Sequence, residues 1–175
     1  MIGGMRRMIW IAALVVGACS KEAASGTSPA AAPTTAPKPA GKDVPTNLNI
    51  CELMPPATVS KITGTTFDKA ERDDTPSYHL FACNYTSGPP TPRQMRISMI
   101  GKNGKIGFDG TAETLTKTKH ALQPVSGIGD AAYTSDGPWC RLAVLYGDVK
   151  LDITGWDELT VDQAKQIISG LHDKM

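Results

Sequence analysis

The hydrophobic pattern divides the chain into three unlike stretches. From Met8 to Val16 the apolar residues run without interruption. Residues 20–46, SKEAASGTSPAAAPTTAPKPAGKDVPT, carry no large apolar side chain except Val44. From Leu48 onward apolar and polar positions recur with the periods of folded elements. Asn49–Gly64 reads as a helical segment: Pro55 and Pro56 suit a first turn, Val59 and Ile62 share a face, and Gly64 is placed to end it. Thr65–Lys69 reads as a short strand and Tyr78–Thr86 as a longer one. Gln94–Ile100 alternates Met95, Ile97 and Met99 with Arg96, Ser98 and Ile100, which predicts another strand. Gly101-Lys102-Asn103-Gly104 is turn chemistry. Thr111–His120 reads as a surface helix with few apolar anchors, Ala112 and Leu115.

The last third is more sharply patterned. Gly127-Ile128-Gly129-Asp130 breaks the chain, and Ala131–Thr134 begins a strand. Trp139–Tyr146 and Val149–Thr154 flank Gly147-Asp148, a two-residue hairpin signal. Leu142, Val144 and Tyr146 alternate with Arg141, Ala143 and Leu145. Across the turn, Val149, Leu151 and Ile153 alternate with Lys150, Asp152 and Thr154, so one face is apolar and the other mixed, as in a sheet covered on one side. Thr160–Asp173 carries a capping box, Thr160 with Gln163, and one apolar stripe, Val161, Ala164, Ile167, Ile168 and Leu171. The order helix, strands, helix, strands, helix predicts an α+β domain, an antiparallel sheet with helices packed on one face.

The leading stretch has the build of an export signal. Arg6 and Arg7 precede an apolar run of nine residues, whereas a membrane-spanning helix needs about 20. That length fits a signal-peptide core. The residues after Arg6-Arg7 fit a twin-arginine signal poorly. Val16-Gly17-Ala18-Cys19 resembles the lipobox of bacterial lipoproteins. The resemblance implies cleavage before Cys19, a diacylglycerol thioether on its sulfur and an acyl chain such as palmitate on its new amine, since stable anchoring takes two or more chains. The plainer alternative is a secreted protein in which Cys19 is incidental. Ser20 stands where an Asp would retain an enterobacterial lipoprotein at the inner membrane. By that resemblance the periplasmic face of the outer membrane is favoured if the source is Gram-negative. The expected organisation is a lipoprotein signal peptide at 1–18, lipidated Cys19 with an extended Ala/Pro/Thr linker at 19–47, and one domain at 48–175. The linker cannot bury a core. At about 3.1 Å per residue it holds the domain several nanometres from the bilayer.

Charge narrows the partners. The chain has 18 basic and 17 acidic residues, and without Arg6 and Arg7 the balance becomes 16 to 17. No basic stripe points to nucleic acid. The mixed run Asp68-Lys69-Ala70-Glu71-Arg72-Asp73-Asp74 reads as a solvated turn or edge.

Besides Cys19 the domain holds Cys51, Cys83 and Cys140. An exported chain meets an oxidising compartment, so a disulfide is expected. Cys51 with Cys83 is favoured, tying the first helix to an early strand, and Cys140 is then a small buried apolar residue. A pair involving Cys140, or no pair, are the alternatives. Cys-x-x-Cys spacing is absent and His79, His120 and His172 are scattered, so no metal or other cofactor is expected.

Three motifs share a likeness: Cys51-Glu52-Leu53-Met54-Pro55 with Val59–Gly64; Val125-Ser126-Gly127-Ile128-Gly129-Asp130-Ala131-Ala132-Tyr133; and the Gly147-Asp148 hairpin followed by the terminal helix. This arrangement resembles the envelope lipoproteins grouped as domain of unknown function 3558, which open with a cysteine before a helix, carry a second cysteine in an early strand and have a later Gly-Leu-Gly-Asp-x-Ala turn. Cys140 and the length of the middle segment depart from that pattern. The resemblance implies fold and location but carries no activity. By itself, Gly127–Ala132 reads as a structural turn, with a ligand loop as the alternative; it lacks the Lys and the context of a phosphate loop.

No catalytic set assembles from the sequence. Ser126 is not in a Gly-x-Ser-x-Gly elbow, and the paired carboxylates Asp73-Asp74 and Asp152 with Asp157 fall in turns or on faces read as exposed. A nucleophile, a base and an orienting group cannot be named together, so no enzyme is expected. Two function classes remain. One is a protein-binding module of the envelope, an immunity protein, inhibitor or assembly accessory, with Tyr133, Trp139, Tyr146 and Trp156 as the interface aromatics. The other is a small-molecule or lipid binder with a cavity between sheet and helices.

Overall fold

The computed structural model describes residues 47–136, 141–155 and 158–175, with the side chain of Arg141 left out. Its first helical segment is two helices, α1 (Ile50–Leu53) and α2 (Pro56–Thr63). They part at Pro55, which has an extended backbone and precedes a second proline at the first position of α2. Gly64 closes α2 in the left-handed region, φ 72°, its N–H donating to Ser60.

Strand β1 (Lys69–Arg72) lies inside the charged run, not at Thr65–Lys69 as the pattern predicted. As the edge of the sheet it has only one neighbour, so its charged side chains stay in solvent and discourage further pairing. A 3-10 turn (Pro76–Tyr78) leads into β2 (Leu80–Thr86), and β3 (Gln94–Ile100) follows. Helix α3 (Gly104–Lys117) begins seven residues before the predicted Thr111. The pattern missed the short β4 (Leu122–Pro124), while β5 (Ala131–Ser135), β6 (Arg141–Tyr146), β7 (Val149–Thr154) and α4 (Val161–His172) fall where it placed them. The result is a mixed α+β fold on one antiparallel seven-stranded sheet, ordered β1-β2-β3-β7-β6-β5-β4.

The first face of the sheet carries the main core. Phe81, Cys83 and Tyr85 of β2, Met95, Ile97 and Met99 of β3, and Leu151 and Ile153 of β7 meet Ile50, Met54 and Val59 from the first helices, and Ala164, Ile167, Ile168 and Leu171 from α4. A fully buried Ile or Leu contributes about 2 to 3 kcal/mol. The capping box of α4 forms as predicted, Thr160 Oγ1 accepting from Gln163 N and Gln163 Oε1 accepting from Thr160 N. Gln163 Nε2 also donates to the carbonyls of Ile62 and Thr63, fixing the start of α4 to the end of α2.

The second face overturns the expectation of helices on one face only. Helix α3 crosses it, packing on β7, β6, β3 and β4. Phe108 meets Tyr133, Ala143 and Leu145 in a second, smaller core, with Ala112, Leu115 and Leu122 around them. Lys150 and Asp152, on the face the alternation had left mixed, are both buried there. Their 2.9 Å ion pair and the Lys150 Nζ bond to Thr111 Oγ1 let charged residues lie beneath a helix. The helix starts early because the hairpin caps it. Asp148 accepts from the N–H groups of Asn103 and Lys105 through its carboxylate and from Gly104 through its carbonyl. Gly104 is required there, since a Cβ would lie 2.3 Å from Asp148 O.

Cys51 and Cys83 form the favoured disulfide, joining α1 to β2 with their Cα atoms 5.3 Å apart. The Gly127–Asp130 turn is built as a structural element. Asp130 N donates to Leu145 O, and Asp130 Oδ2 accepts from Gly147 N at the tip of the β6–β7 hairpin. Gly129, at φ 59°, lies so close to β6 that a Cβ would sit 2.5 Å from Val144 Cγ1.

Candidate binding site

Helix α3 covers only part of the second face. The polarity of that face changes along the strands in step with this cover. Successive cross-strand pairs of β2 and β3 read Leu80–Ile100, Ala82–Ser98, Asn84–Arg96 and Thr86–Gln94. The first pair lies beside α3: a Cβ on Gly107 would sit 2.7 Å from Ile100 Cδ1. The last two pairs open to solvent and floor a cleft of about 490 Å³.

Strand register sets the floor of this cleft in two rows. Glu71, Asn84, Arg96 and Thr154 stand side by side on β1, β2, β3 and β7. Lys69, Thr86 and Gln94 form the second row on β1, β2 and β3. Strands lie about 4.8 Å apart and residues two apart are about 6.8 Å along a strand, so the rows form a regular polar grid. Tyr85 and Met95 also border the cleft, but their side chains turn to the first face and are 0 % and 2 % exposed.

The charges of the grid are matched in pairs. Arg96 Nη1 donates to Asp73 Oδ2 and, at 3.0 Å, to Asn84 Oδ1. Asn84 Nδ2 completes the triangle, donating to Asp73 at 3.4 Å. The hydrogen bonds from Arg96 and Asn84 and the guanidinium charge hold the Asp73 carboxyl below its ordinary pKa. Lys69 pairs with Glu71. Thr86, Gln94 and Thr154 line the cleft, and their side chains make no hydrogen bond to another described residue, which leaves their hydroxyl and amide groups able to donate and accept. The grid offers binding chemistry. Its carboxylates are engaged with cations, and no serine, cysteine or histidine stands among its described residues.

The residues singled out from sequence do not gather here. Cys19, Trp139, Cys140 and Trp156 lie outside the described residues. Tyr133 lies in the second core: it is 6 % exposed, its ring 4.8 Å from that of Phe108 and its hydroxyl donating to Phe108 O. It sits on the face that α3 covers, which the sequence reading had left to solvent. Tyr146 is half-buried, stacked on His172 of α4 at 3.9 Å. Burial raises the pKa of its phenol, against a hydrogen bond with Ser169. In the sequence each cleft residue is an ordinary polar strand position. The signal was the paired loss of apolar residues on one face of β2 and β3, visible only once their register is known.

Among the described residues no three His, Cys, Asp or Glu side chains are grouped as for a metal ion, and no helix is long and apolar enough to cross a membrane. No family model, curated protein or solved structure matches the chain.

Proposed function

We propose that this chain is a lipid-anchored protein of the bacterial cell envelope that acts without catalysis, as a binding module for another envelope protein of the immunity, inhibitor or assembly kind. The anchoring part rests on the apolar run from Met8, the Val16-Gly17-Ala18-Cys19 motif and the linker that follows. The resemblance to domain of unknown function 3558 points to the same compartment. The binding part is carried by one observation: α3 covers only part of the second sheet face, and the corner over β1, β2 and β3 presents a rigid polar surface. A surface fixed by strand pairing loses little conformational freedom when a partner docks.

The test is affinity capture from envelope extract with the full chain as bait, compared with Arg96→Glu. A single partner in fixed ratio, lost with Arg96→Glu while the variant keeps its circular dichroism spectrum, is the expected result. Equal recovery by both baits would refute this surface. For the anchor, Cys19→Ala should abolish palmitate labelling and release the chain from membranes; unchanged labelling would refute it. A second reading is favoured by the cleft itself. Its volume falls in the range of small-ligand sites, and its lining suits a polar molecule better than a lipid tail.

A further inference from the structure

The charges in the cleft restrict what it accepts. Arg96 gives Nη1 to Asp73 and Asn84, and Lys69 pairs with Glu71, so an anion would have to share each cation with a carboxylate already beside it. A cationic ligand would likewise have to share Asp73 and Glu71 with the cations already paired to them. Among the described side chains of the grid these four charges cancel, so an ion gains little net attraction from them to offset the water it loses. An apolar ligand gains little, because the large side chains beneath the cleft, Tyr85 and Met95, point to the opposite face, and the remaining residues that line it all carry polar groups.

What the cleft does hold out are Thr86, Gln94 and Thr154, on three neighbouring strands of the grid. Each hydroxyl donates and accepts, and the amide does both in one plane. Groups that must be met by donors and acceptors at once, at fixed spacing and without charge, are those of vicinal diols. We propose that this corner of the sheet is a binding site for an uncharged polyhydroxylated ligand, a short saccharide segment lying across β2, β3 and β7. The proposal rests on the small-ligand reading above. In it, Thr86, Gln94 and Thr154 contact the ligand, while Asn84, Arg96 and Asp73 form a rigid wall whose charges stay paired.

Saturation-transfer NMR with the full chain tests this, using chitotriose, cellotriose and maltotriose as probes and inorganic phosphate and decanoate as the anionic and apolar comparisons. Transfer to at least one trisaccharide is expected, unchanged by high salt. The double variant Gln94→Ala/Thr154→Val should weaken it by about ten-fold, the loss of one or two hydrogen bonds, with near-ultraviolet circular dichroism unaltered. Thr154→Ser, which keeps the hydroxyl, should bind as the parent does. No transfer to any of the three saccharides, undiminished transfer in the double variant, or tighter binding of phosphate or decanoate would each overturn the proposal. If the saccharides fail while decanoate or phosphate binds and is lost in the double variant, the cleft is a small-ligand site of other chemistry. If nothing binds and protein capture depends on Arg96, the small-ligand reading itself falls.

Discussion

Tyr85 shows how one side chain can set a pH limit on the whole domain. Its ring is fully buried, edge-on to Phe67, and its hydroxyl donates to Met54 O at 2.6 Å. Burial pushes its pKa far above the ordinary tyrosine value, because the phenolate would lose its water with no cation to replace it. A folded pKa above the unfolded one means that stability from this group is complete below about pH 10 and is lost as pH rises toward the folded value. Tyr146 is shifted in the same direction and adds to the decline. Urea unfolding across alkaline pH should show stability falling from about pH 10. Tyr85→Phe, which cannot ionise, should flatten part of that fall while costing about 1 kcal/mol at neutral pH for the lost hydrogen bond. Equal slopes in the two proteins would contradict this account. The sequence named Tyr85 as a strand residue, but nothing local to it reveals a partner 31 positions away at the end of α1.

At the scale of elements, α3 is the piece whose placement decides the site. Its N-cap residue, Asn103, makes no side-chain cap bond and sits at φ 58°, so its first turn depends on Asp148 of the hairpin. Asp148→Ala is expected to cost about 1 to 2 kcal/mol and to speed amide exchange in residues 104–108, whereas Asp148→Asn, which keeps one of the two acceptor oxygens, should recover only part of the loss. Unchanged exchange in the alanine variant would rule the cap out. This dependence explains why the helix was only half legible in the sequence. Thr111–His120 has helical composition, but the first turn, Gly104 to Gly107, has two glycines and is stabilised by a residue more than forty positions away. Elements with local signals were read well: the capping box of α4, the Gly147-Asp148 turn and the alternation of β3. The three-residue β4 was too short to show a period. The mixed face of β7 was read as solvent-exposed because alternation reports what a strand tolerates, and a buried Lys150–Asp152 pair looks the same as an exposed one.

For the molecule as a whole, the Cys51–Cys83 bond ties the first helix to the sheet. Closing a loop of this length is worth about 3 to 4 kcal/mol in the chain-entropy model. Cys51→Ser should therefore lower the melting temperature by roughly 10 °C and add one titratable thiol, that of Cys83, in the denatured protein. An unchanged thiol count would refute the pairing. Cystine chemistry constrains one half of the sheet; the other half is constrained by the order in which its strands arrive. The strand nearest the C-terminus, β7, is not at an edge but in the middle, between β3 and β6. During synthesis β3 has no partner on that side until residues 149–154 exist, and a chain stopped short of them would present β3 as an open edge over a half-built core. Only when the β6–β7 hairpin docks on β3 do the two halves become one sheet, so the sheet is completed by the last of its strands to be made.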